Sequence, residues 1–483
     1  MLKYLPKGCS SMSFVDLVSA DVEQVIGRFE GFHLRFASHF ATRTRDMSPQ
    51  AAQYLQGQFT CQGENNLKAF EKWVPETDYQ SLHHFISRSP WEDKPVIDDI
   101  AQSVKTLIGS VEYGLLHIDE SGLPKQGSHS VGVTRQYCGR LGKVDNCQMG
   151  VFLGYTNGSS RILVDKRLYL PQSWTKDKAR MKQCGVPEEV EFQTKAQLGL
   201  EMIREAQKRE MPYAFIGMDT HYGQQPWLLA ELEADDECYI ADVPCDIRVW
   251  RNCPKTQIPK RKSNRGRLPT KRKLVEGSPT AIEVREIAAA LQPWAWHREY
   301  VRDTQRGQLF TRIACLRVFP VRDELPGPAT WLIIREDEPD NKLKYQLSNA
   351  DQQTPFSRLA YMSHSRYWIE RAIQDAKGEA GLDQYQVRGW RAWHHHMTMV
   401  LLAMLFLLEL QHYWESKAPL LTLRDVREIL EVTLPKRQFS ATEILLHIEQ
   451  KHRARDSARR SHQRIRQQKN DSNPSNSSSQ FLI

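Results

Sequence analysis

The sequence predicts an α/β chain: an all-helical N-terminal region, then one mixed sheet covered by helices and interrupted by a second strand-rich stretch. Three observations carry this expectation. Residues 1 to about 105 show helical spacing of apolar positions and no strand signal, most clearly from Asp16 to Phe40. From Tyr113 the order becomes strand, strand, strand, helix, strand, strand, and a further helix after an interruption, which suits one sheet with helices on its faces. Two of the apolar runs, "YGLLHID" and "YAFIGMD", end in aspartate, where open α/β sheets place their ligands.

The elements follow in order. Helical pieces are expected before Pro90 and after Pro95; "TDYQSLHHFISRSPW", Thr77 to Trp91, suits either a packing helix or one laid in a DNA groove. "CQMGVFLGYTNGSSRILVDKRLYL" holds two β-rich runs around an Asn-Gly turn, a strong hairpin signal. "TKAQLGLEMIREAQKRE" reads as a helix and "ECYIADV" as a fifth strand. After a basic stretch come the strand candidates "LFTRIACLRVF", "TWLIIR" and "KYQLS". In "RYWIERAIQDAK", Ile369, Ala372, Ile373 and Ala376 define a buried stripe, and at about 100° per residue Arg366, Glu370 and Lys377 fall on nearly one line beside it. A long buried helix is expected from about Trp393 to Trp414; its run "MTMVLLAMLFLL" is too short to span a bilayer. The terminal "NDSNPSNSSSQ" is a polar tail.

Lys and Arg number 66 against 58 Asp and Glu, a net charge of +8 that favours a polyanionic partner. The distribution is more telling than the sum. Lys255 to Lys273 holds nine basic residues and no acid, and Lys451 to Lys469 holds eight against one Asp, compositions of solvated linkers that also suit phosphate neutralisation. Nine cysteines without a CxxC pair support neither a zinc module nor a disulfide framework. The first residues lack the apolar core of a signal peptide, so a reducing cytoplasm is the expected location.

If the first and fourth strands are neighbours, Asp119 and Asp219 lie side by side and Glu370 on the later helix completes a three-carboxylate cluster. Such a cluster is costly unless divalent cations neutralise it, and Mg²⁺ prefers hard oxygen ligands of this kind. Two ions roughly 4 Å apart activate an attacking hydroxyl and stabilise a leaving phosphodiester oxygen. Glu120 competes for the first position, but strand alternation sends it to the opposite face from Asp119. Consecutive His394, His395 and His396 point in different directions on a helix and suit core or surface better than metal. His221, two residues after Asp219, has the reach to enter the site. Lys125 and Arg312 are plausible phosphate contacts with no motif behind them, and read rather as solvated cations.

"HIDESGLPKQG", "FIGMDTHYG" and "RYWIERAIQDAKGEAGLDQYQVR", in that order, resemble the signatures of bacterial DDE transposases, most closely the insertion sequence 701 family, related to the insertion sequence 4 group. The resemblance runs from roughly Arg28 to Leu434 and includes "RFEGFHLRF", "DTQRGQLF" and "KYQLSNA". It implies a ribonuclease H-like core interrupted by a β-strand insertion domain, with Asp119, Asp219 and Glu370 catalytic and holding two Mg²⁺ ions, for which Mn²⁺ can substitute. It further implies a homodimer on double-stranded DNA, cleaving at terminal inverted repeats and joining the freed 3′-hydroxyl to target DNA. Arg366 and Lys377, with Lys260, Arg261, Lys262, Lys271, Arg272 and Lys273 in the basic stretch, are the expected phosphate contacts. An insertion-domain Trp holds a flipped base in relatives; Trp294 and Trp296 are candidates for such stacking, and Trp331 lies in the same region, though an indole is more often buried for its apolar area.

One slot departs from the pattern. The related group has Tyr three residues before the Arg, where this chain has Ser363, with Tyr361 and Tyr367 both out of register. Any role that depends on that Tyr, including a DNA hairpin intermediate, loses its support. The domain ranges implied are 1–105, an N-terminal helical DNA-binding domain; 106–250, the first part of the core; 251–350, basic linker and insertion; 351–417, the second part with the Glu370 helix; and 418–483, a C-terminal helical segment and basic tail. Two rival readings keep the same core: a nuclease without strand transfer, and a catalytically inactive DNA-binding derivative of a transposase.

Overall fold

The computed structural model describes residues 24–61, 65–260, 269–304, 307–337 and 342–471, and the chain divides into two compact units, Met1–Leu434 and Pro435–Ile483. Among the described residues of the first unit, five α-helices precede any long strand: α1 (Val25–Phe36), α2 (Ser48–Thr60), α3 (Leu67–Trp73), α4 (Tyr79–Ser87) and α5 (Asp93–Ile108). Helical spacing puts Val25, Phe29, Phe32 and Phe36 on one buried face of α1. Asn66 and Asp78 cap α3 and α4 by accepting backbone N–H groups of the first turn, which fixes where each helix begins. The remaining helices of seven or more residues in this unit are α6 (Lys195–Lys208), α7 (Pro226–Ala234), α8 (Val284–Ala290), α9 (Phe356–Ser363), α10 (Tyr367–Ala380), α11 (Trp390–Trp414) and α12 (Leu423–Thr433).

The strands are β1 (Gly114–Pro124), β2 (Thr134–Cys138), β3 (Lys143–Asn157), β4 (Ser160–Tyr169), β5 (Phe215–Met218), β6 (Tyr239–Val243), β7 (Arg248–Trp250), β8 (Thr256–Gln257), β9 (Lys273–Leu274), β10 (Ile282–Glu283), β11 (His297–Thr304), β12 (Gly307–Arg322), β13 (Leu325–Pro326), β14 (Thr330–Asp337) and β15 (Lys342–Ser348). Thirteen form one sheet in the order β10-β7-β12-β14-β15-β6-β5-β1-β3-β2, with β4 on β3 and with β11 and β13 on β12. Among the described strands, only β1–β5 and β5–β6 pair in parallel. The first and fourth strand candidates are thus neighbours. The Asn157-Gly158 turn joins β3 to β4, as expected. The strand-rich stretch after β6 extends the core sheet, because β15 pairs with β6.

The long apolar helix is α11. Among the described residues it alone is long and apolar enough to cross a membrane, yet 78% of that apolar window is buried inside the protein. Phe406 on α11 gathers the rings of Phe29, Phe32 and Phe59 at 5.7, 4.7 and 5.8 Å, so the N-terminal helices wrap a core helix. α12 packs on α11, α10 and α2, so residues 423–433 belong with the first unit and not with the terminal segment. α4 buries Leu82, Phe85 and Ile86, which gives that stretch a packing role.

One constraint is specific to the strand that carries Asp119. In register, His117 on β1 sits between Gly154 on β3 and Gly217 on β5. A Cβ at Gly217 would lie 2.3 Å from His117 Nδ1, and one at Gly154 would lie 2.4 Å from Cδ1 of Ile369 on α10. Two glycines therefore leave room for a buried imidazole and for close approach of the Glu370 helix. Gly217→Ala should destabilise the protein by about 1–3 kcal/mol in urea denaturation through overpacking. Adding His117→Ala should recover part of that deficit; strictly additive effects would show that the ring and the glycine are not coupled.

Candidate active site

Strand alternation sorts the acidic pair at the end of the β1 motif. Ile118 and Glu120 face α6: Ile118 packs against Gly199, and Glu120 accepts hydrogen bonds from Lys195 Nζ at 2.7 Å and the Tyr222 hydroxyl at 2.8 Å. Asp119 and His117 face the other way, towards α10 and Arg366. The His117 ring is fully buried with neither nitrogen hydrogen-bonded, and burial drives it down to about 3, so it is neutral.

Asp219 follows β5 directly and caps a short helical turn, its Oδ1 accepting the N–H groups of His221 at 2.9 Å and Tyr222 at 3.3 Å. Because Ile118 pairs with Met218, the next residues, Asp119 and Asp219, come off adjacent strands at the same level. Burial, then the neighbouring Asp219 charge, pushes the Asp119 carboxyl up to about 7. Burial and the Glu120 charge raise Asp219 in the same direction.

Arg366, at the start of α10, is the cation that opposes both shifts. Its Nη2 lies 2.7 Å from Glu370 Oε1 and its Nε lies 3.2 Å from Asp242 Oδ2. Asp242, next to last in β6, also accepts a hydrogen bond from Gln346 Nε2 at 2.6 Å. It is a fourth carboxylate beside the three expected, and its only sequence signal was its place in the strand after the Asp219 motif. Burial, then Arg140, lowers the Lys377 ammonium, while Asp383 and Asp119 act on it from the other side. Of the helix line, Arg366 and Lys377 interact with the Asp119 charge, while the exposed Glu370 pairs with Arg366.

Among the described residues no three His, Cys, Asp or Glu side chains close into a metal-holding group. Arg366 pairs with Glu370 and also interacts electrostatically with Asp119 and Asp219. The donor set still fits a hard divalent ion. Asp119 and Asp219 are neighbouring, desolvated oxygen donors, Glu370 is one ion pair away, and a single Arg366 cannot balance them and Asp242.

The other candidates are dispersed. Lys260, Lys271, Arg272 and Lys273 are exposed, with Arg272 Nε donating to Thr256 Oγ1 at 2.9 Å; Arg261 and Lys262 lie outside the described residues. Trp294 is 82% exposed, Trp296 packs against the core formed by the insertion strands, and Trp331 is buried with its Nε1 donating to Asp351 O. His221 is half-buried with its ring against Tyr222. The three consecutive histidines face three partners: His394 meets Lys166, His395 stacks on Trp91 and bonds backbone carbonyls, and His396 meets the Tyr54 hydroxyl. Lys125 is not solvated as expected; its ammonium donates to Tyr385 O at 2.9 Å and lies over the Tyr385 ring. Arg312 pairs with Glu336. Ser363, in the Tyr slot, is buried with its hydroxyl donating to Ala360 O, while Tyr367 is partly exposed.

A DDE superfamily endonuclease model matches residues 35–308, more than half of the chain and including Asp119 and Asp219, and the chain belongs to that family of enzymes. The particular relative is an insertion-sequence protein. Over 98 residues the chain is 40% identical to the probable transposase for insertion sequence element IS701 from Microchaete diplosiphon, a match that covers 19% of this chain and about a quarter, 25%, of that protein's length. Among solved structures, the piggyBac transposase in a synaptic complex with hairpin DNA aligns with 86% of this chain and 78% of its own, at 10% identity and a TM-score of 0.38.

The Asp119 shift has a pH signature. A carboxyl raised in the folded state binds protons that the unfolded chain has released, so its contribution to stability is full below the unfolded value of about 4 and is lost as pH rises through about 7. With chelator present, Asp119→Asn should match the parent near pH 4 and be the more stable protein at pH 7.5 in urea melts. Equal stabilities at both pH values would show that this carboxyl is not desolvated.

Proposed function

We propose that this protein is a Mg²⁺-dependent DDE transposase that cuts DNA at the ends of its insertion sequence and joins the freed 3′-hydroxyl to target DNA. The observation that carries this reading is the pairing of β1 with β5, whose register sets Asp119 and Asp219 at one level, with Arg366 acting on both and paired to Glu370, in a chain of the DDE endonuclease family. Asp119, Asp219 and Glu370 would hold the ions. Bound Mg²⁺ would supply Lewis-acid charge at the attacking and leaving oxygens of the phosphodiester.

The chain's own groups account for the rest. Asp219 has one oxygen fixed by backbone N–H groups, which leaves Oδ2 free to face the site in a set orientation. Arg366 and Lys377 bring positive charge to the same side and suit the DNA phosphates flanking the reacting bond. His117 is neutral and packed below Asp119; it excludes water from that side. Binding as a dimer at paired inverted repeats, in the bacterial cytoplasm and at the nucleoid, belongs to the same reading. A nuclease without strand transfer shares every one of these groups and differs in its products.

The test is incubation of purified protein with labelled end DNA and Mg²⁺, with cut and joined strands resolved on a denaturing gel. Asp119→Ala, Asp219→Ala and Glu370→Ala should each reduce cleavage below detection while specific DNA binding persists. Full cleavage by any one variant removes that residue from the site, and cutting without joined product favours the nuclease. In a separate measurement, neutralising Lys260, Lys271, Arg272 and Lys273 together should flatten the salt dependence of DNA binding, by up to about 0.9 in log–log slope for each phosphate no longer neutralised. An unchanged slope would make this exposed stretch a linker.

A further inference from the structure

Among its described residues the second unit contains one long helix, α13 (Ala441–Asp471), whose start is fixed by a reciprocal cap: Glu443 N donates to Ser440 Oγ at 3.2 Å and Ser440 N donates to Glu443 Oε2 at 2.9 Å. Its described side chains are exposed along the basic stretch from Lys451. The charges there are not spread evenly around the helix. Taking Arg455 as the origin and about 100° per residue, Lys451, Arg459 and Arg466 fall within roughly 40° of it. Arg453, Arg460 and Arg464 fall on the opposite side, and the acids Glu449 and Asp456 lie about 100–120° round from Arg455, on one flank.

The ion pairs follow that division. Arg453 pairs with Glu449 at 2.5 Å and Arg460 with Asp456 at 2.7 Å, so the far face is largely neutralised. Lys451, Arg455, Arg459 and Arg466 make no ion pair among the described residues. One side of the helix is therefore a bare cationic stripe about 22 Å long at 1.5 Å per residue, and the other carries its own counter-charges.

We propose that this stripe is a DNA-backbone contact separate from the carboxylate site, with Lys451, Arg455, Arg459 and Arg466 laid against the phosphates of a duplex. The chemistry favours this partner. Duplex DNA presents rows of phosphates beside a groove wide enough for an α-helix, and flexible cations meet them without reading sequence. The stripe contains no acid, Asn or Gln, so it is fitted to hold a duplex and not to select one.

The inference rests on DNA being the protein's substrate, and its test is independent of cleavage. Binding of the full-length chain to a duplex of arbitrary sequence is followed by fluorescence anisotropy without Mg²⁺, across a range of salt concentrations. R455A/R459A/R466A should weaken binding about tenfold or more at low salt and reduce the log–log salt slope by up to about 2.7, three phosphates at about 0.9 each. R453A/R460A/R464A removes the same number of charges from the opposite face and should change affinity less than about threefold. Circular dichroism should show the helix kept in both. Equal weakening by the two triples would reduce the effect to net charge, and no weakening by the first would return the stripe to solvent; either overturns the proposal. Failure here leaves the carboxylate site untouched, and failure of the protein to cleave leaves this interaction standing.

Discussion

The site depends on one energetic problem: two carboxyl groups removed from water and placed next to each other at the ends of adjacent parallel strands. Desolvation and like charge both act against ionisation, so such a pair persists only where the surrounding fold holds it and opposite charge is at hand. The fold holds it through the β1–β5 pairing, whose register sets Asp119 and Asp219 at one level. Glycines on both neighbouring strands admit His117 and let α10 approach, and α10 brings Arg366. Removing any of these supports changes the electrostatics of the aspartates before it touches chemistry.

Much of this was legible in the sequence because it follows from short-range rules. A run of apolar residues ending in Asp marks a strand end, a period near 3.6 marks the buried stripe of α10, and Asn157-Gly158 marks a turn. What escaped was long-range. Asp242 lies inside its strand and is followed by Val243, so no strand-end rule singled it out; only the pairing of β6 with β5 and β15 makes it Arg366's partner. Lys125 read as solvated because nothing near it in sequence announces Tyr385, 260 residues away. The expected closed carboxylate cluster took the spacing into account but not the guanidinium, which in sequence appears only as a neighbour on the same helix line.

The insertion strands illustrate the same limit. In sequence they interrupt the core and invite the picture of a separate module. In the fold they prolong the sheet through β15 and return to α10, where the Arg302 guanidinium of β11 lies 4.0 Å from the Tyr367 ring and 4.6 Å from the Trp368 ring. Tyr367 and Trp368 immediately follow Arg366. The strand-rich stretch is thereby in contact with the turn of helix that bears the site's counter-charge.

That counter-charge sets the terms on which a polyanion can enter. Around Arg366 stand Asp119, Asp219, Asp242 and Glu370, and a single guanidinium leaves the group short of positive charge whenever the aspartates are ionised. Phosphate is repelled by such a surface, and at close range the repulsion is screened little by salt. Protonation relieves part of it, consistent with an Asp119 carboxyl raised to about 7, but a protonated carboxyl is a poor ligand for a cation. On the function proposed above, divalent cations would relieve it without that drawback and would leave Arg366 to meet phosphate. The same arrangement that makes the aspartates costly in the protein alone would then make cation and DNA binding mutually favourable.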